Sequence, residues 1–136
     1  MSFLLDTNVV SEIRKPQPNA NARAWLASVI GSDLFISVLV IGEVRQGIER
    51  LRPRDPSRAA VYDAWLAVLR RDYRDRVLPI TAEISEQWGR FNALRTTSVV
   101  DGLMAATASV HDLTLITRNV ADVSGTGVRV LNPFDS

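Results

Sequence analysis

The feature that most constrains this chain is a rhythm. Short apolar runs, each closed by a polar or turn-forming residue, alternate with stretches whose apolar residues recur every three to four positions. The runs are Phe3-Leu4-Leu5, Leu34-Phe35-Ile36, Val77-Leu78-Pro79-Ile80, Leu113-Thr114-Leu115-Ile116 and Val128-Arg129-Val130-Leu131. Each is too short for a helix and has the character of a buried strand, while the intervening stretches have helical period. Strands separated by helices form βα units, and these pair in parallel because the crossover must carry the chain back across the sheet. The sequence therefore predicts an α/β chain: a three-layer α/β/α sandwich with a mostly parallel central sheet of four to five strands. No internal repeat or long linker interrupts the 136 residues, so one domain is expected over 1–136.

The helices carry their own punctuation. Thr7 and Asn8 offer capping side chains for a short helix through Ile13, which Pro16 and Pro18 stop. A helix from Asn19 would place Ala22, Trp25, Leu26, Val29 and Ile30 on one stripe and end at Gly31. Ser37 can cap the helix that carries Glu43 and ends near Leu51. Beyond the Pro53–Pro56 turn, Val61, Ala64, Trp65, Val68 and Leu69 form the expected buried side of the next helix. Thr81 caps a helix with Ile84, Trp88, Phe91 and Leu94 at helical spacing, and a last helix runs from about Val99 to Val110.

Composition matters chiefly for the chemistry it excludes. There is no cysteine, one histidine (His111) and one lysine (Lys15) among sixteen basic residues. Disulfides, thiolate metal sites, thiol nucleophiles, zinc sites of two histidines and histidine-pair ribonucleases are excluded. Carboxylates and hydroxyls remain. No apolar run reaches the length of a membrane helix, and Met1–Asp6 lacks the basic region of a signal peptide, so a protein of the cytoplasm is expected. Net charge is +1, but Arg45 to Arg76 holds nine arginines against five acids. That segment reads either as a helical surface laced with ion pairs or as an attractor for a polyanion.

In a parallel sheet, ligands gather outside the carboxyl ends of the strands. Asp6 follows the first strand, Glu43 lies two turns into the helix after the second, Asp101 lies in the first turn of the last helix, and Asp122 lies in the loop after the fourth strand. If these segments meet, the carboxylates repel one another and raise one another's pKa. A hard divalent cation, Mg²⁺ or Mn²⁺, resolves that conflict, activates water and stabilises charge on a phosphodiester. Each acid also has a plainer reading: Asp6 as a helix cap, Asp101 as a favourable charge at a helix start, Asp122 as a loop residue. Glu43, in the apolar stretch Val38–Val44, is the hardest to explain without a partner. Thr7, Asn8 and Thr117 could orient water beside the acids or serve as turn and capping residues. The three tryptophans fall on apolar helix faces, and Gly125-Thr126-Gly127 lacks the context of a dinucleotide loop.

Phe3–Glu12, Ile36–Glu43, Asp101–Ala108 and Leu115–Asn119, in this order and spacing and followed by Val130-Leu131-Asn132-Pro133-Phe134, resemble the PIN-domain ribonucleases. The likeness is to the VapC/FitB-like toxins of type II toxin–antitoxin pairs and spans nearly the whole chain. It implies a PIN-like sandwich and Mg²⁺- or Mn²⁺-dependent endonucleolytic cleavage of RNA. It also implies a homodimer, or a larger toxin–antitoxin assembly, held by a cognate VapB/FitA-like antitoxin that alone contacts DNA. Asp6, Glu43 and Asp101 match the family's core acids and Asp122 its more variable fourth, with Asn119 the alternative contributor because Val123 stands where an aromatic commonly follows. Thr7, Asn8 and Thr117 match supporting polar positions.

Two other readings are open. A haloacid-dehalogenase-type phosphatase would use Asp6, but it expects a second aspartate where Asn8 stands and a lysine, for which only Lys15 is present. A PIN-like fold could also act as a non-catalytic binding module.

Overall fold

The computed structural model describes residues 1–135; Ser136, the last residue of the expected domain, lies outside the described residues. Its strands are β1 (Phe3–Leu5), β2 (Leu34–Ser37), β3 (Val77–Leu78), β4 (Thr114–Ile116) and β5 (Val130–Leu131). The helices are α1 (Thr7–Ile13), α2 (Ala20–Ala27), α3 (Val38–Leu51), α4 (Pro56–Asp72), α5 (Ala82–Leu94) and α6 (Val99–Val110). The strands form one sheet in the order β3-β2-β1-β4-β5, with every pairing parallel, and helices flank it. Leu4 stands beside Phe35 on one side and Leu115 on the other, and Leu5 beside Ile116.

This order puts a topological switch between β1 and β4. From β1 the chain winds outward through β2 to β3, then returns past β1 to build β4 and β5. Crossovers leave in opposite directions at that point, opening a crevice at the strands' carboxyl ends. The residues that follow the two strands, Asp6 and Thr117, therefore meet at its floor.

The core explains why these segments fold as they do. Leu4, Leu5, Ile36, Leu115 and Ile116 are buried in the sheet, and α6 presents Met104, Ala105 and Ala108 to the same core. In α3 the Ser37 hydroxyl accepts the Leu39 N–H at 3.1 Å, and Val40, Val44 and Ile48 recur every fourth residue on the buried side. Burying each of these side chains stabilises by roughly 1.5–3 kcal/mol, so α3 is held by its inner face more than by intrinsic propensity.

Several sequence expectations give way here. α2 ends at Ala27, before Gly31, because Ser28 folds both its N–H and its hydroxyl back onto the Trp25 carbonyl; Ile30 is left exposed. α4 buries Ala59, Leu66 and Leu69 with Tyr62 and Trp65 half-buried, whereas Val61, Ala64 and Val68 face outward. One position along a helix is a turn of about 100°, and the stripe that wins also aims Asp63 at the α3 arginines. Leu94 ends α5 exposed, as the chain turns extended at Arg95. β3 stops at Leu78 because Pro79 has no N–H for the ladder. β5 begins only at Val130, after Gly125 (φ +86°) and Gly127 (φ +78°) turn the chain.

Candidate active site

Asp6 is the centre from which the site can be built. It is 7% exposed and caps α1, its Oδ1 accepting the Thr7 N–H at 2.7 Å. Its Oδ2 accepts the Thr117 hydroxyl at 2.6 Å and the Asn8 amide at 3.1 Å. The plain capping role and the chemical role thus coexist in one residue. Thr117 is itself buried and accepts the Asn119 N–H at 3.0 Å, while Asn8 Oδ1 accepts the Arg118 N–H at 3.2 Å. These bonds sew the loop after β4 to the start of α1.

These donors do not settle the Asp6 charge. Burial pushes its carboxyl above the ordinary range, opposed by Thr117, Thr7 and Asn8, and the nearby Asp101 charge pushes it further up. Asp101 is half-buried in the first turn of α6, where its Oδ2 accepts the Ser98 hydroxyl at 2.7 Å and its N–H donates to Ser98 Oγ at 3.2 Å. Glu43 is reached through Thr7, whose hydroxyl donates to Glu43 Oε1 at 2.5 Å. Asp122, in a 3-10 turn over Val120–Val123, shares with Asp101 a small cavity of about 20 Å³. Of the two candidates in that loop, Asp122 lines the cavity that Asp101 also lines, and Asn119 contributes its N–H to Thr117.

The structure thus joins Asp6, Asn8 and Thr117 by side-chain hydrogen bonds and Glu43 to the Thr7 hydroxyl, with the Thr7 backbone N–H linking the two groups through Asp6; Asp101 lies within electrostatic reach of Asp6, and Asp122 lines the same small cavity as Asp101. Among the described residues, no three Asp, Glu or His side chains stand close enough to hold one ion together. Each of Asp6, Glu43 and Asp101 instead meets a hydroxyl, from Thr117, Thr7 and Ser98. Every donor at the rim is an oxygen, and the buried anion is under-compensated beside a second anion. That donor chemistry fits a hard divalent cation.

Several residues that shape the site escaped the sequence reading. Ser98 and Asp101 form a reciprocal cap whose S-x-x-D spacing was a legible signal. Gly102 admits the Trp88 indole against α6: a Cβ there would lie 2.7 Å from Trp88 Cδ1. Glu12 is 8% exposed, accepts Lys15 Nζ at 3.0 Å and the Asn19 N–H at 3.0 Å, and lies 3.9 Å from Arg118. This ties the only lysine away from Asp6, and Asn8 faces Asp6 as an amide donor, so both requirements of the phosphatase reading are missing.

A parallel sheet with acids and hydroxyls gathered at its switch point defines a class of carboxylate-centred α/β proteins. A family model described as PIN domain matches residues 3–121, and the chain belongs to the PIN-domain family. It is 31% identical to Toxin FitB of Neisseria gonorrhoeae, covering 97% of this chain and 98% of that protein. It is 28% identical to VapC ribonuclease Y4jK of Sinorhizobium fredii, covering 98% of each. The crystal structure of FitAcB from Neisseria gonorrhoeae matches with a TM-score of 0.88 at 31% identity, covering 98% of this chain and 99% of that one.

Proposed function

We propose that this protein is an Mg²⁺- or Mn²⁺-dependent endoribonuclease, the toxin of a type II toxin–antitoxin pair, folded as one domain. The observation that carries the reading is the placement of Asp6: a buried carboxylate at the switch point, near Asp101, whose oxygens meet only hydroxyl and amide donors. Membership of the PIN-domain family and the ribonuclease and toxin relatives support the activity.

Asp6 and Asp101 would hold the cation, with Glu43 and Asp122 acting on it through bound water. Once bound, it supplies Lewis acidity that makes water a better nucleophile and offsets charge on a phosphodiester. Thr7 fixes Glu43 through Oε1, leaving Oε2 to take a proton from the attacking water. Thr117 and Asn8 hold Asp6 Oδ2 in place, so the carboxylate does not reorganise as charge develops. Exposed arginines, including Arg50, Arg54 and Arg70, would draw RNA phosphates.

An antitoxin of the VapB/FitA kind and a second copy of the chain are the proposed protein partners, with DNA reached only through the antitoxin. Exposed Val61 and Val68 on α4, and Leu94 and Val99 around the α5–α6 loop, supply apolar surface for such contacts. No helix among the described residues is long and apolar enough to cross a membrane. An RNA substrate assigns the protein to the cytoplasm.

The test is direct. Antitoxin-free protein should cut single-stranded RNA with Mg²⁺ or Mn²⁺, stop with EDTA, and lose cutting on Asp6→Asn or Asp101→Asn with the circular-dichroism spectrum unchanged. Full activity in either variant would defeat the assignment.

A further inference from the structure

Beside the acid centre, α1, α3 and α4 enclose a cleft of about 170 Å³ whose lining includes Thr7 and Glu43 together with Arg14, Tyr62 and Trp65. The Arg14 guanidinium carbon lies 4.0 Å from the Tyr62 ring centroid and 5.5 Å from that of Trp65. Arg58 approaches the same Tyr62 ring at 5.6 Å and donates Nε to the Tyr62 hydroxyl at 2.9 Å. Neighbouring arginines behave differently: Arg45 and Arg52 are both bound to Glu49 and Asp63. Among the described residues, neither Arg14 nor Arg58 has an acidic partner in an ion pair.

A guanidinium laid against aromatic rings is fixed in orientation without losing its N–H edge or its charge. Arg14 is therefore a positioned cation in a cleft that also contains Glu43, and its natural complement is a planar or tetrahedral oxyanion. Apart from the hydroxyls of Thr7 and Ser11, the rest of the lining is apolar or aromatic, with Ile48 and Leu51 beside Tyr62 and Trp65. That pairing of an oriented cation with an aromatic wall suits a nucleotide whose base has left its stack.

We infer that this cleft binds one nucleotide of single-stranded RNA next to the nucleotide being cut, its phosphate on Arg14 and its base against Tyr62 and Trp65. The inference rests on the nuclease reading of the acid centre, but its test does not need cleavage. Arg14 is a binding residue here, and Arg58 adds charge at the same ring.

The probe is a fluorescein-labelled ten-nucleotide 2′-O-methyl RNA, titrated by anisotropy into the full chain in EDTA over a range of salt concentrations. Arg14→Gln should weaken binding roughly tenfold and reduce the salt slope by about 0.7, the loss of one single-strand phosphate contact. Arg14→Lys should keep the slope, and Trp65→Ala should weaken binding about fivefold or more through lost stacking. Unchanged affinity and slope in a folded Arg14→Gln protein would overturn the proposal. So would a ten-residue polyglutamate that competes as well as the RNA, because it would assign the cleft to an acidic peptide. As a measurement independent of variants, 4-thiouridine in the same oligonucleotide should crosslink the wild type within α4 at Tyr62 or Trp65; crosslinks only elsewhere would overturn it. Arg14-dependent binding without any RNA cleavage would support the subsite and overturn only the nuclease reading. Cleavage by wild type and Arg14→Gln alike, with equal binding, would overturn only the subsite.

Discussion

Two groups of acids in this molecule meet opposite fates. On the α3–α4 surface, Glu49 and Asp63 are bracketed by Arg45 and Arg52 at 2.8–3.0 Å, and the arginine hydrogen bonds hold both carboxyls down at about 2. At the rim of the sheet, Asp6 has no arginine; burial and Asp101 raise its carboxyl, against the hydroxyl and amide donors. The arginine-rich segment thus spends part of its charge on internal pairing, while the acids at the switch point remain short of positive charge. Function is to be sought where charge is left uncompensated, because that is where a bound cation or substrate gains most.

The largest expected effect falls on the rim. Glu43→Gln, which keeps shape and removes the proton acceptor, should lower RNA cleavage by roughly 10²- to 10⁴-fold with little change in substrate affinity. Glu49→Gln, on the arginine-paired surface, should leave the rate within about twofold by the same reasoning. Comparable losses in both would erase the contrast.

Next comes packing behind the rim. Gly102→Ala would drive a methyl into Trp88, whose buried Nε1 has no hydrogen-bond partner, and should destabilise the fold by roughly 1–3 kcal/mol in denaturant titrations. No change would mean that the indole has room to withdraw from α6.

A smaller effect separates the two acid environments by pH. Because the folded state raises the Asp6 pKa, its ionisation opposes folding, so stability falls as pH rises above the ordinary value of 3.8 and through the folded value. In EDTA at pH 7, Asp6→Asn should therefore melt higher than the wild type, and the gap should close below pH 3.8. Asp63 has the opposite sign. Its stabilisation is present above 3.8 and is lost as pH falls towards about 2, so Asp63→Asn should melt slightly lower at neutral pH. That last effect should be the smallest and should fade in 1 M salt, because the pairs are exposed.

Much of this was legible from residues alone because the signals are local. Short, mainly apolar runs ended by a polar residue located β1, β2 and β4, and Ser37 and Thr81 cap the helices they were expected to cap. The positions of Asp6 and Thr117 follow from strand ends, and that of Asp101 from a helix start. What stayed hidden depends on tertiary geometry. Two stripes on α4 are both apolar, and only its docking onto α3 through Asp63 and Leu66 chooses between them. The cleft of Arg14, Tyr62 and Trp65 joins residues some fifty positions apart, which no local spacing announces. Nor could spacing foretell that Asp6 and Glu43 would take the hydroxyls of Thr117 and Thr7 as partners.

The central claim is that Asp6 and Asp101 form one cation-binding centre, and calorimetric titration of the free protein with Mn²⁺ tests it most directly. The account predicts saturable binding to the wild type, lost in both Asp6→Asn and Asp101→Asn and retained in Asp63→Asn. Binding of equal strength in all four proteins would contradict it.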